Sequence, residues 1–169
     1  MGLGAAICEL GAYAMLYHYT DRLSAIDIRR EGAIRATPLA LHRDMFARDE
    51  GLRTDPLIWL TTSGSPDGTV LAKMRLGGWP TTMAGNLFRF VVGADYPAKT
   101  LDEYFESTGV DPGWWKWAIA TGELAGSRSE DWRLCLADIP VADWLAVEVL
   151  QDDESWIRPE ARAARAAIE

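Results

Sequence analysis

The residues best placed to do chemistry are Leu16-Tyr17-His18-Tyr19-Thr20, Trp59-Leu60-Thr61-Thr62-Ser63 and Ser129-Glu130-Asp131-Trp132. His18 is one of two histidines in the chain. At the end of an apolar strand its imidazole could be aimed into a cleft, or it could hold a structural hydrogen bond. Thr61, Thr62 and Ser63 read either as a strand end running into a turn or as hydroxyls touching a ligand. Glu130 and Asp131 read either as turn acids or as a catalytic carboxylate. A Ser/His/Asp or Cys/His hydrolase would have to use His18 or His42. His42 falls in an ambiguous stretch and reads as a surface residue. Cys8 lies in an expected loose leader and Cys135 in a strand, so neither is a persuasive nucleophile. No phosphate-binding glycine loop, nucleophile elbow or zinc spacing is present.

These groups need elements to position them. Tyr13 to Thr20 is aromatic-rich and predicts a strand. Thr20 or Asp21 then suits a helix N-cap. Leu23, Ile26 and Arg30 follow at helical spacing, and Gly32 is the expected stop. Ala33 to Ala36 is expected to be extended. Residues 38–50 fit a weak helix, and Thr69 to Leu76 a short one. Pro56 to Thr62 predicts a second strand that turns at Ser63–Gly68. Further strands are expected over Asn86 to Val92, Asp131 to Leu136 and Trp144 to Leu150, with Ile139-Pro140 as a break. Helices are expected over Leu101 to Ser107, Pro112 to Gly122 and Pro159 to Ile168. Strands mixed with unequal helices imply an α+β class, not a regular βαβ alternation. Residues 1–14 are expected to be a leader and 15–169 one domain.

Composition narrows the function classes. The formal charge is −8 over 169 residues, and it is unevenly spread. Residues 15–55 balance seven Arg against seven acids, whereas residues 95–154 carry four basic against fourteen acidic side chains. Duplex DNA binding needs phosphate neutralisation, and no basic stripe is present. Arg22, Arg29, Arg30 and Arg35 could hold one pyrophosphate, or pair along a solvated helix face with Asp27 and Glu31. No apolar run approaches the roughly 20 residues of a membrane span. A reduced cytoplasmic protein is the default for two unpatterned cysteines. Three tryptophans in Trp114-Trp115-Lys116-Trp117 cannot all face one core. At least one is expected at an interface or a cleft rim.

The Tyr17-His18-Tyr19-Thr20 strand, the helix through Ala25-Ile26, and Gly32-Ala33-Ile34 resemble the ADP-ribosyltransferase superfamily. The likeness is to the branch of poly-ADP-ribose polymerases, diphtheria-type toxins and the DNA-targeting toxin DarT. It is strong over about twenty residues and weak elsewhere. It implies a split β-sheet with short flanking helices and NAD as substrate. It implies that His18 holds the NAD ribose while Tyr19 and Thr20 shape the nicotinamide pocket. Trp59, Thr61, Thr62 and Ser63 would fill the second-strand slot, Arg35 would meet the pyrophosphate, and Glu130 or Asp131 would be the catalytic acid. The sequence departs from the pattern in that last slot: Asp131, not Glu130, directly precedes Trp132. A one-residue slip flips a side chain to the other face, so at most one of the two points into the cleft, and if neither does the chain would bind NAD without transfer or be an inert relative. The stacking Tyr of the second strand is not obvious either.

The implied reaction is transfer of ADP-ribose to a macromolecular acceptor, as in a toxin or a phage or bacterial conflict factor. It passes through an oxocarbenium-like state that a carboxylate stabilises, and it needs no metal. The acidic C-terminal half favours a protein acceptor over nucleic acid. Two alternatives stand beside it. One is a non-catalytic protein-binding module on the same fold; the other is an NAD-using RNA 2′-phosphotransferase-like enzyme, which would want a basic cleft.

Overall fold

The structure is a computed structural model. It describes residues 15–36, 56–66, 84–109, 116, 119–120, 122–124 and 126–160. The expected leader, the 38–50 and 69–76 helices, Trp114, Trp115, Trp117, His42 and Cys8 lie outside those residues, as does the last helix beyond Glu160. Helical residues at 116 and 119–120 match the expectation for that region, and residues 122–124 are helical too, two of them past the expected end at Gly122.

Strand β1 (Met15–Asp21) leads directly into helix α1 (Arg22–Glu31). Asp21, not Thr20, is the N-cap: its carboxylate accepts from the Leu23 and Ser24 N–H groups. Thr20 lies one residue further back in the strand, opposite Phe88, and the first-turn donors of α1 find their acceptor at Asp21. Gly32 ends the helix at φ 71°, a left-handed conformation that glycine adopts without a Cβ penalty. Ala25 is the buried residue of α1, small enough to let the helix lie close on the sheet.

Next come β2 (Ala33–Ile34), β3 (Ile58–Thr61), β4 (Leu87–Gly93), α2 (Leu101–Thr108), β5 (Trp132–Cys135), β6 (Ile139–Pro140), β7 (Trp144–Leu150) and β8 (Trp156–Ile157). Six strands form one sheet in the order β5-β3-β1-β4-β7-β8, with every neighbouring pair antiparallel. β2 and β6 form a separate ribbon, Ile34 opposite Ile139. The expected break at Ile139-Pro140 is thus a strand; the proline, which lacks an N–H, is tolerated in so short a ribbon. The class is α+β.

Register divides the sheet into two faces. Leu16, His18, Leu60, Phe90 and Val92 share one, where α1 and the ribbon cover a core with Ile34 and Ile139. Phe90 is fully buried there, edge-on to Trp144 at 4.8 Å. Full burial of such a side chain stabilises by roughly 1.5–3 kcal/mol. The opposite face carries Trp132 and Leu134, which α2 covers through Leu101 and Tyr104. A reciprocal capping box, Thr100 with Glu103, starts α2. Burial is negligible at Glu103, so the bonds from the Thr100 N–H and hydroxyl dominate and hold its carboxyl below the ordinary range. Beyond β5, Lys99 pairs with Leu134 through two backbone bonds of 2.8 Å.

Candidate functional site

The β1–β3 junction is where the sheet is least zipped. β1 and β4 register over seven residue pairs, from Met15–Gly93 to Asp21–Leu87, and β3 and β5 over four. β1 and β3 register at one, Tyr17 opposite Thr61. Side chains span the junction instead. His18 is not at the strand end, as expected, but in the middle of β1. Its Nδ1 lies 3.0 Å from the Trp59 carbonyl oxygen. A carbonyl can only accept, so Nδ1 carries the proton and, in the neutral ring, Nε2 holds the lone pair. The imidazole is half-buried and sits 6.4 Å from the Phe90 ring.

The two candidate acids part company. Both belong to a 3₁₀ turn, Ser129–Asp131, so the strand begins at Trp132 and not at Asp131. The Thr62 N–H donates to the Asp131 carbonyl at 2.9 Å, extending the β3–β5 ladder one step past Thr61–Trp132. Carried one step past the ladder, strand alternation would put Thr62 and Asp131 on the face opposite Trp132, the face of His18 and Thr20. The Thr62 hydroxyl then donates to the Asp131 carboxylate at 2.8 Å. Asp131 is 26% exposed and Glu130 is 65% exposed. Glu130 is bonded to Arg128, whose Nε stands 3.6 Å from Asp131. Glu130 also lines a cavity of about 350 Å³ with Thr100, Leu101, Asp102, Phe105 and Ile119, beside α2.

The hydroxyls expected at the second strand split in role. Thr61 is buried, and its Oγ1 accepts from the Ser63 N–H. Thr62 anchors Asp131. Ser63 donates its hydroxyl to the Ser65 carbonyl. Trp59 packs edge-on against Trp132 at 5.4 Å, and its carbonyl receives His18.

Tyr19 points to the other face. Its hydroxyl donates to the Ser63 carbonyl at 2.9 Å, and its ring lies 5.7 Å from Trp156. Beside it is a residue that sequence reasoning missed. Arg89 on β4 donates to Glu148 at 2.7 Å and to the Gly64 carbonyl. Its guanidinium lies 4.7 Å from the Tyr17 ring centroid and 4.2 Å from that of Trp156. The available signal was an arginine inside an otherwise apolar strand, Leu87-Phe88-Arg89-Phe90-Val91-Val92.

Arg35 sits just after the β2–β6 ribbon and is engaged by two carboxylates, Asp138 at 2.6 Å and Glu31 at 3.3 Å. The Arg35 side chain, and then the Ala36 N–H, hold the Asp138 carboxyl below the ordinary range. Arg30 pairs with Asp27 and Arg29 with Glu160. Arg29, Arg30 and Arg35 are thus ion-paired, two of them with carboxylates beyond the helix, Glu160 and Asp138. Among the described residues no group of His, Cys, Asp and Glu is placed to hold a metal ion, and no helix is long and apolar enough to cross a membrane.

No family model matches the chain, and no curated protein matches it. Among solved structures, the crystal structure of Protein CC0527 from Caulobacter crescentus is 13% identical, with a TM-score of 0.39. The match covers 88% of this chain and 98% of that one. A likeness at this level assigns neither a fold family nor a function.

Proposed function

We propose that the chain is an ADP-ribosyltransferase of the His-containing branch, which binds NAD at the β1–β3 junction and passes ADP-ribose to a macromolecular acceptor. The observation that carries the reading is the strand order β5-β3-β1, with Asp131 tied to β3 through Thr62 and His18 tied to β3 through the Trp59 carbonyl. Their strands are separated by β3 alone, a span of roughly 10 Å between backbones. The sparse β1–β3 register is in keeping with a split sheet of that superfamily, parting between a β5-β3 half and a β1-β4-β7-β8 half.

In this reading Asp131, not Glu130, is the catalytic acid. The bond between nicotinamide and ribose C1′ breaks, and its electron pair leaves with the nicotinamide. Positive charge develops at C1′, and the Asp131 carboxylate stabilises it. The acceptor nucleophile bonds to C1′ and loses a proton to that carboxylate or to solvent. Thr62 holds the carboxylate in orientation by its hydroxyl. His18, fixed by the Trp59 carbonyl, meets the ribose. Thr20 shares the face of His18 and shapes the nicotinamide pocket. The acidic stretch 95–154 favours a protein acceptor. The pairing of Arg29, Arg30 and Arg35 with carboxylates weighs against the basic cleft that a 2′-phosphotransferase needs. A cytoplasmic setting suits the free buried thiol of Cys135.

Incubation with labelled NAD and a cell lysate tests the proposal. Label transfer is expected from the natural chain and from Glu130→Gln, and its loss by at least tenfold from His18→Ala and Asp131→Asn. Label surviving in both of the latter, or no NAD binding at millimolar ligand by calorimetry, overturns the reading and favours a non-catalytic module.

A further inference from the structure

Three carbonyls of β3 and its trailing loop are gripped from across the sparsely paired junction: Trp59 by His18, Ser63 by Tyr19 and Gly64 by Arg89. Of the three donors, Arg89 reaches furthest. It starts on β4, opposite Tyr19, passes over the Tyr17 ring on β1, and ends on the loop beyond β3. Tyr17 lies alongside the same loop: a Cβ at Gly64 would make an ordinary contact with its hydroxyl oxygen at 3.7 Å.

Arg89 is itself fixed from the far side. Its side chain is 12% exposed and its partner Glu148 22% exposed, and Trp156 stacks over the guanidinium. An arginine with two of its nitrogens bonded and two rings against its guanidinium has little freedom to swing. The Gly64 carbonyl it holds lies two residues after Thr62, the residue that binds both the carbonyl and the carboxylate of Asp131. The links run without a gap from Trp156 and Glu148 through Arg89 to Gly64, and along the chain through Ser63 to Thr62 and Asp131.

The geometry points to Arg89 as a positioning residue for the Asp131 carboxylate, acting through the Ser63–Gly64 backbone and Thr62; its catalytic consequence rests on the role assigned to Asp131 above. It touches neither the acid nor the cleft face. It lies on the opposite side of the sheet from His18, so direct contact with a ligand bound beside His18 is excluded by register.

Residue-resolved amide exchange of Arg89→Met, Arg89→Lys and Tyr19→Phe tests this without requiring turnover. In Arg89→Met the Thr62 N–H, which donates to Asp131, is expected to exchange at least tenfold faster. The Leu134 N–H, bonded to Lys99, is expected to stay as protected as in the natural chain. Arg89→Lys keeps the charge without the fork and is expected to recover part of the Thr62 protection. Unchanged Thr62 exchange, with acceleration confined to β7 and β8, overturns the inference. If Arg89→Met loses protection at Leu134 as well, it has unfolded, and Arg89→Lys and Tyr19→Phe decide by the same comparison. Where the natural chain cleaves NAD, Arg89→Met is further expected to lower kcat about tenfold with KM for NAD within twofold. A natural chain that does not cleave NAD sinks the proposed activity while the exchange result still judges Arg89.

Discussion

The Thr62 hydroxyl and the Asp131 carboxylate are 2.8 Å apart, and the Thr62 N–H holds the Asp131 carbonyl at 2.9 Å. One residue thus fixes both the backbone and the side chain of the acid. Glu130, next to it, is turned toward Arg128 and solvent.

The first prediction follows from that double grip. A double-mutant cycle with Thr62→Val and Asp131→Ala is expected to give a coupling of about 1 kcal/mol, the usual worth of a partly buried side-chain hydrogen bond. Urea unfolding of the four proteins supplies it. Strict additivity would show that the bond contributes nothing.

The cap of α1 should be visible in acid. Burial pushes the Asp21 carboxyl up, but the Ser24 hydroxyl and the Ser24 and Leu23 N–H groups outweigh it and hold it below the ordinary range. A carboxyl depressed in the folded state stabilises above its unfolded value, about 3.9, and that stabilisation is lost as pH falls through the folded value. Asp21→Ala is expected to cost about 1 kcal/mol at pH 7. The gap between variant and natural chain should narrow as pH falls through the depressed folded-state value. A gap unchanged over that fall would mean that the charge is irrelevant to the cap.

Cys135 should be inert. Burial pushes its thiol up, so little thiolate exists at neutral pH. Iodoacetamide at pH 7.5 is expected to leave the Cys135 peptide unmodified in the folded protein and to alkylate it fully in 6 M guanidinium, read by peptide mass spectrometry. Equal labelling in the two conditions would contradict the burial.

Packing sets the largest effects. Phe90→Ala, at the centre of the main core, is expected to cost about 3–5 kcal/mol. Leu145→Ala, at a residue 55% exposed, is expected to change stability by less than about 0.5 kcal/mol. Chemical denaturation ranks the two, and comparable losses would displace Phe90 from the core.

Much of the frame was legible because it is local. Gly32 as the helix stop and Trp144 to Leu150 as a strand rest on short-range pattern and turn chemistry, and both stand as read. What escaped depends on distant partners. Arg89 looks like a surface residue until β7 and β8 bring Glu148 and Trp156 beside it. Arg35 could be paired with Glu31 by helical spacing, but Asp138 lies 103 residues away. Glu130 and Asp131 could not be told apart, since the 3₁₀ turn and the Thr62 contact that separate them are set by β3. The Ile139-Pro140 strand was hidden because it exists only against β2.

The two lateral margins of the six-stranded sheet share a defensive property. On one, Lys99 occupies backbone groups of Leu134 that a foreign strand would seek; on the other, β8 is two residues long. Neither border offers the long bare template from which fibrils grow. A concentrated solution of the folded protein should therefore resist cross-β stacking at these borders, and loss of the Lys99 segment would open a growth point at β5.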